Sequence, residues 1–110
     1  MDDRQQAHLA ANEDLFRQIN ERIEDVASEH GPDEHRYEFL CECSNLSCDL
    51  RMRLTLAAYE QIRTDPTQFV VADGHDLPEI EIVVARTDDY QVVRKQGDAA
   101  ELAEAKDPRG

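Results

Sequence analysis

From Leu9 onward the apolar positions of the chain recur at helical spacing. Leu9, Phe16 and Ile23 occupy one heptad position and Asn12, Ile19 and Val26 another, in alternating steps of three and four residues. Leu15 widens the stripe. Glu13, Asp14, Arg17, Gln18, Glu21, Arg22, Glu24 and Asp25 fall between as the expected solvated face. The pattern predicts an amphipathic helix lying on a sheet and stopped by Gly31-Pro32. A coiled-coil seam with Asn12 as its polar register residue needs a longer repeat than this one. The helix is the candidate surface for self-association as a homodimer, or for a protein partner. Residues 1–8 are polar and expected to be disordered.

Further along, the period changes to two. In residues 36–42, RYEFLCE, Tyr37, Phe39 and Cys41 share one face. In residues 50–54, LRMRL, Leu50, Met52 and Leu54 point inward and Arg51 and Arg53 outward. Two strands joined through a short loop predict an antiparallel hairpin. Thr55 can cap a following helix with Leu56, Tyr59 and Ile62 on its apolar face, ended by Thr64-Asp65-Pro66. Phe69–Val71 reads as a short buried strand and residues 90–95 as a last one. Segment 76–86 is ambiguous. Its β-branched residues favour a strand, whereas Asp76, Pro78 and Glu79 resemble a helix start, and a short helix is expected. The architecture predicted is a small α+β domain over residues 9–96: an N-terminal helix, then an antiparallel or mixed sheet with helices, with a zinc-binding loop between two strands. Residues 97–110 are expected to be a flexible acidic tail.

Composition narrows the functions. The chain has 110 residues, with 25 Asp and Glu against 12 Lys and Arg, a formal charge of −13. That length supports one core. The charge argues against duplex nucleic acid and anionic membrane as partners, since both need a basic footprint. Arg51, Arg53 and Arg63 are the main candidates for such a footprint, and acidic neighbours outweigh them. No apolar run reaches the roughly 18 residues of a membrane span, and no basic stretch followed by an apolar one opens the chain. A soluble, cytoplasmic protein is expected.

The chemistry lies in CECSNLSC. Cys41, Cys43 and Cys48 are an odd number of thiols within eight residues, which in a cytosolic chain points to a metal rather than to disulfides. The surrounding Glu42, Ser44, Asn45, Ser47 and Asp49 make the segment too polar for a core. Three thiolates suit Zn2+, which takes a fourth ligand. His8 reads as solvated, and His30 and His35 flank a turn. Along an extended strand His35 stands roughly 20 Å from Cys41, at ~3.3 Å per residue. His75 follows Phe69–Val71, and a strand there running beside the cysteine-bearing strand would deliver it to the cluster. Gly74 permits the turn, and Asp73 or Asp76 can accept the other ring N–H. The fourth ligand is His75, with His35 and then water as the alternatives.

The segments FLCECSNLSC, LRMRLTLAAYEQIRTDPTQFVV, GHDLPEIEIVV and YQVVRK resemble a family of small uncharacterised bacterial proteins common in actinobacteria. That family's pattern runs F-x-C-E-C-x4-C, L-T-x2-E-Y-E-x-[IV]-R, F-x-V, P-G-H and Y-x-V-V, and the likeness spans about residues 12–95. Ala57-Ala58 replaces the usual acidic residue before Tyr59, and Asp73 replaces the proline before Gly74-His75. The resemblance implies that Cys41, Cys43, Cys48 and His75 belong together, and it implies no activity.

No nucleotide-binding glycine pattern, P-loop, H-E-x-x-H or zinc-deaminase signature is present. Three thiolates and a histidine would fill a tetrahedral ion's sphere and leave no catalytic water. The reading is therefore a zinc-stabilised, non-enzymatic binding or regulatory module whose protein partner carries a basic surface. A thiol-based redox or metal sensor is the alternative, and a small zinc hydrolase a distant third.

Overall fold

A computed structural model describes residues 2–28, 35–45 and 47–109. The elements run α1 (Asp3–Ser28), β1 (Arg36–Leu40), β2 (Arg51–Thr55), α2 (Leu56–Arg63), β3 (Gln68–Val71), β4 (Glu81–Arg86), β5 (Gln91–Lys95) and α3 (Asp98–Ala105). This is the expected small α+β domain, but its strands split into two antiparallel sheets. One is the β1–β2 hairpin and the other has the order β3–β5–β4.

The hairpin pairs Tyr37 with Leu54 and Phe39 with Met52, so alternate side chains from both strands reach one face. Phe39, Met52 and Leu54 are buried there, while Leu50, expected to point inward with Met52 and Leu54, is 45% exposed because it lies ahead of the first paired residue of β2. Thr55 Oγ1 accepts from the Ala58 N–H at 3.1 Å and starts α2 as expected. Tyr59 of α2 stacks on Phe39 with ring centroids 4.4 Å apart. Ile62, Phe69, Val70, Val71, Val92 and Val93 complete one core shared by both sheets.

Four further expectations are corrected. Residues 76–86 do not form a helix. A single turn closes over Pro78–Ile80, with the Ile80 and Glu81 N–H groups donating to the Leu77 carbonyl. Then Ile82, Val83 and Val84 enter β4, where β-branched side chains suit the strand and β5 supplies the pairing. The register of β4 against β5 shifts between Val83 and Ala85, a bulge that leaves Val84 without an opposite residue.

The first eight residues are not wholly irregular, since α1 begins at Asp3. Asp2 Oδ1 accepts from the Gln5 N–H at 2.8 Å, and the Asp2 N–H reaches back to Gln5 Oε1 at 3.3 Å. This reciprocal cap holds a first turn that buries nothing large and so leaves no apolar signal. The expected stop at Gly31-Pro32 lies outside the described residues.

The C-terminal segment is not a free tail. Gly97 turns the chain with φ of +58° into α3, whose Ala99 and Ala103 are buried. Beyond it Asp107 pairs with Arg63, and the Arg109 guanidinium reaches Glu21, Glu24 and Glu60 at 2.8–3.0 Å. Small alanines bury without a periodic signature, and ion pairs to residues more than forty positions away have none.

The fourth correction concerns how α1 faces the core. Glu13 and Arg17, expected in solvent, are buried together with Asn20, whereas Leu15, Ile19 and Val26 are 48%, 40% and 53% exposed. The polar groups turn inward because distant partners await them. The Arg17 guanidinium donates to the Pro66 and Ala103 carbonyls at 2.8 and 2.9 Å and lies over the Phe69 ring, 4.6 Å from its centroid. Lys95 stands between the carboxylates of Glu13 and Glu81, both nearly out of solvent.

That triad has one carboxylate more than its ammonium can balance. Burial pushes Glu13 up to about 7 against the opposing pull of Lys95, from an ordinary value of 4.5. The folded chain thus keeps a proton that the unfolded chain releases at lower pH. This contribution is fully present below pH 4.5 and is lost as the pH rises through about 7. We expect the wild type to lose up to about 3 kcal/mol over that interval through Glu13. Glu13→Gln should flatten the corresponding slope in urea melts at about pH 5 and about pH 8. An unchanged slope would show that Glu13 does not titrate in this way.

Candidate metal centre

The cysteines sit where the hairpin opens. β1 ends at Leu40, and the Cys41 N–H still reaches the Leu50 carbonyl at 3.2 Å, which closes the loop across its base. Inside the loop Asn45 Oδ1 accepts from the Ser47 N–H at 2.9 Å, and the Asn45 carbonyl accepts from the Cys48 N–H at 3.0 Å. This side-chain-stabilised turn brings Cys48 back beside Cys41 and Cys43.

His75 arrives from the second sheet. The Glu42 N–H donates to the Val70 carbonyl at 2.7 Å, so β3 runs beside the start of the loop, as its expected role in delivering His75 requires. After β3 the His75 N–H closes a turn onto the Ala72 carbonyl at 3.0 Å, with Gly74 at φ +79°. A residue with a Cβ would be strained there. The Ala72 N–H points at Cys41 Sγ, 3.2 Å away, and fixes that sulfur.

The ligand atoms of Cys41, Cys43, Cys48 and His75 lie within 4.8 Å of one another. His75 Nδ1 is 3.6 Å from Cys41 Sγ and 3.7 Å from Cys48 Sγ. A tetrahedral ion at ~2.3 Å from sulfur and ~2.05 Å from nitrogen sets such atoms about 3.6 Å apart. All three thiols are free of disulfides. The four residues are therefore positioned to bind a metal, and three soft donors with one imidazole are a set that suits zinc. His35 stands at the far end of β1, exposed and edge-on to the Tyr37 ring at 4.5 Å. Asp73 does not orient His75. It accepts from Gln91 Nε2 at 2.8 Å instead.

Among the protein atoms alone, the hydrogen bond between Cys41 and Cys43 separates their acidities. It pushes Cys41 up, together with burial, and draws Cys43 down. Burial pushes Cys48 up. Binding an ion would displace the thiol protons.

Glu42, between the first two cysteines, was expected to help make the segment too polar for a core. It is wholly buried. Its Oε2 accepts from Asn20 Nδ2 at 2.9 Å and from the Tyr59 hydroxyl at 2.8 Å, and its Oε1 accepts from the Val70 N–H at 3.0 Å. Burial raises both the Glu42 carboxyl and the Tyr59 phenol. Alternation pointed the other way, since it puts Glu42 on the face of β1 opposite the buried Phe39 and Cys41. Its three donors come from α1, α2 and β3 and left no trace in local pattern.

No protein-family model, curated protein or solved structure matches this chain. The geometry separates the candidate histidines. His75→Ala should weaken zinc binding at least about tenfold, since losing even an outer partner of a ligand costs that much. His35→Ala should leave it unchanged. Titration against a competing chelator checks both, and the opposite ranking would overturn the placement of His75.

Proposed function

We propose that the chain is a zinc-stabilised, non-enzymatic binding or regulatory module. The observation that carries this reading is the convergence of Cys41, Cys43, Cys48 and His75 from two different sheets. An ion held by all four would tie the β1–β2 hairpin to the β3–β5–β4 sheet and so act as a cross-link in a small domain. Its sphere would be full, which suits a structural role and leaves no position for a substrate or a reactive water.

The same reading assigns a protein partner. With a formal charge of −13, a partner carrying a basic surface would be steered toward the chain. Leu15, Ile19 and Val26 form an exposed apolar line along α1, the face such a partner or a second copy would cover. No helix among the described residues is long and apolar enough to cross a membrane. A thiol-based sensor is the second reading. It is favoured by Cys48, which is the most exposed of the three sulfur-bearing residues and within reach of an oxidant.

Purified, reduced protein should contain about one zinc per chain. If the ion is structural, removing it with a chelator should lower the melting temperature by about 15 °C, the shift expected when a site a thousandfold above its dissociation constant is emptied. Cys41→Ser should melt like the chelated wild type. A metal-free chain with unchanged melting behaviour would overturn the structural-zinc reading. Reversible zinc release by mild peroxide, with recovery on reduction, would favour the sensor over the purely structural module.

A further inference from the structure

Two side chains of α1 grip the ligand-bearing segment from outside. Asn12 Nδ2 donates to the Ser44 carbonyl at 2.8 Å, one residue past Cys43. Asn20 takes both backbone groups of Leu40, one residue before Cys41. Its Oδ1 accepts from the Leu40 N–H at 2.7 Å, and its Nδ2 donates to the Leu40 carbonyl at 2.9 Å and to Glu42 Oε2 at 2.9 Å. The two asparagines are eight residues apart, about 12 Å along the helix axis. Together they bracket the stretch of backbone that carries Cys41 and Cys43.

Asparagine is a poor residue for a helix interior. Asn20 is nonetheless fully buried, while Leu15 and Ile19, which lie between the two asparagines in sequence, face solvent. Phe16 and Ala27 are buried and Ile23 packs on the core, so the face of α1 that carries Asn20 buries apolar surface and at the same time meets the polar groups of residues 40–42.

We propose that Asn12 and Asn20 are positioning residues of the metal centre, and that metal binding and the seating of α1 form one linked equilibrium. The inference rests on the metal-binding reading above. Neither asparagine touches a ligand atom. Each holds the backbone on one side of Cys41 and Cys43 in the conformation that points both sulfurs at His75. Holding that conformation before the ion arrives raises the affinity for the ion, and by reciprocity the bound ion stabilises the seated helix by the same factor. β4 carries neither a ligand nor, among the described residues, a hydrogen bond to residues 40–44, so it should not share in the coupling.

The test is the Zn2+ affinity of the full chain at fixed pH, measured by competition with a chromophoric chelator. Asn12→Ala should weaken binding about fivefold, the worth of one ordinary hydrogen bond. Asn20→Ala should weaken it about 10–100-fold, the range for outer partners of metal ligands. Gln18→Ala, whose side chain is exposed on the same helix and among the described residues bonds only Asp14, should bind zinc as the wild type does. Amide exchange gives a second readout: zinc should slow exchange in residues 12–24 of the wild type more than in β4, and this selective protection should shrink in Asn12→Ala. A purely structural role would lower the melting temperature of both asparagine variants without changing zinc affinity, and that result overturns the proposal. Should Asn20→Ala fail to fold, Asn12→Ala decides the matter, because Asn12 is only half-buried and gives up one bond. A wild type that binds no zinc defeats the metal-binding reading itself. A wild type that binds zinc, with both variants binding as tightly, defeats only the linkage.

Discussion

The carboxylate of Glu42 is the point on which the molecule closes. A buried carboxylate needs donors from every side, and here α1, α2 and β3 each send one. Because Glu42 sits between Cys41 and Cys43, satisfying it also fixes the path of the backbone through the cluster. Tyr59, held by its hydroxyl, in turn lies flat on Phe39 of the hairpin. Core packing and the placement of the sulfurs are therefore consequences of the same hydrogen bonds. Removing the carboxylate would strand an amide, a phenol and a backbone N–H together.

Charge is organised in a similar way. Of the cationic side chains, Arg17, Arg63 and Lys95 are buried, each against carboxylates or backbone carbonyls. Among the described residues Glu13, Glu42 and Glu81 are buried as well, so burial takes as many carboxylates as cations from the surface and leaves its acidic excess unchanged. Arg109 offsets part of this where it gathers Glu21, Glu24 and Glu60. Burial, with Glu60 beside it, pushes Glu24 up to about 7, so a second carboxyl group holds a proton near neutrality.

What the sequence made legible follows from the range of the interactions involved. The hairpin, α2 with its Thr55 cap, β3, β5 and the clustering of the three cysteines depend on alternation, a capping hydroxyl and ligand chemistry, all readable within a few residues, whereas His75, 27 positions beyond Cys48, could be placed with them only through the need for a fourth ligand. The orientation of α1 was not readable, because the groups that turn Glu13, Arg17 and Asn20 inward are Lys95, Pro66, Ala103 and Leu40. The helix pattern itself was correct, but its heptad positions named Ile19 and Val26 as core where the fold leaves them outside. Over residues 76–86 two local signals competed. The capping residues obtained one turn, and the β-branched residues took the rest once β5 offered a partner.

The bulge in β4 bears on how the molecule behaves in a crowded solution. β4 is an outer strand of its sheet, and Ile82 and Val84 stand exposed on it. A regular strand of that composition would offer an unbroken row of backbone donors and acceptors to any passing chain. The shift between Val83 and Ala85 interrupts the row at its middle and increases the local twist. An incoming strand could then match one half of the edge but not both, which leaves it too short a ladder to persist. An edge interrupted in this way would hinder the addition of a further strand, which matters for a domain with short strands and exposed aliphatic side chains.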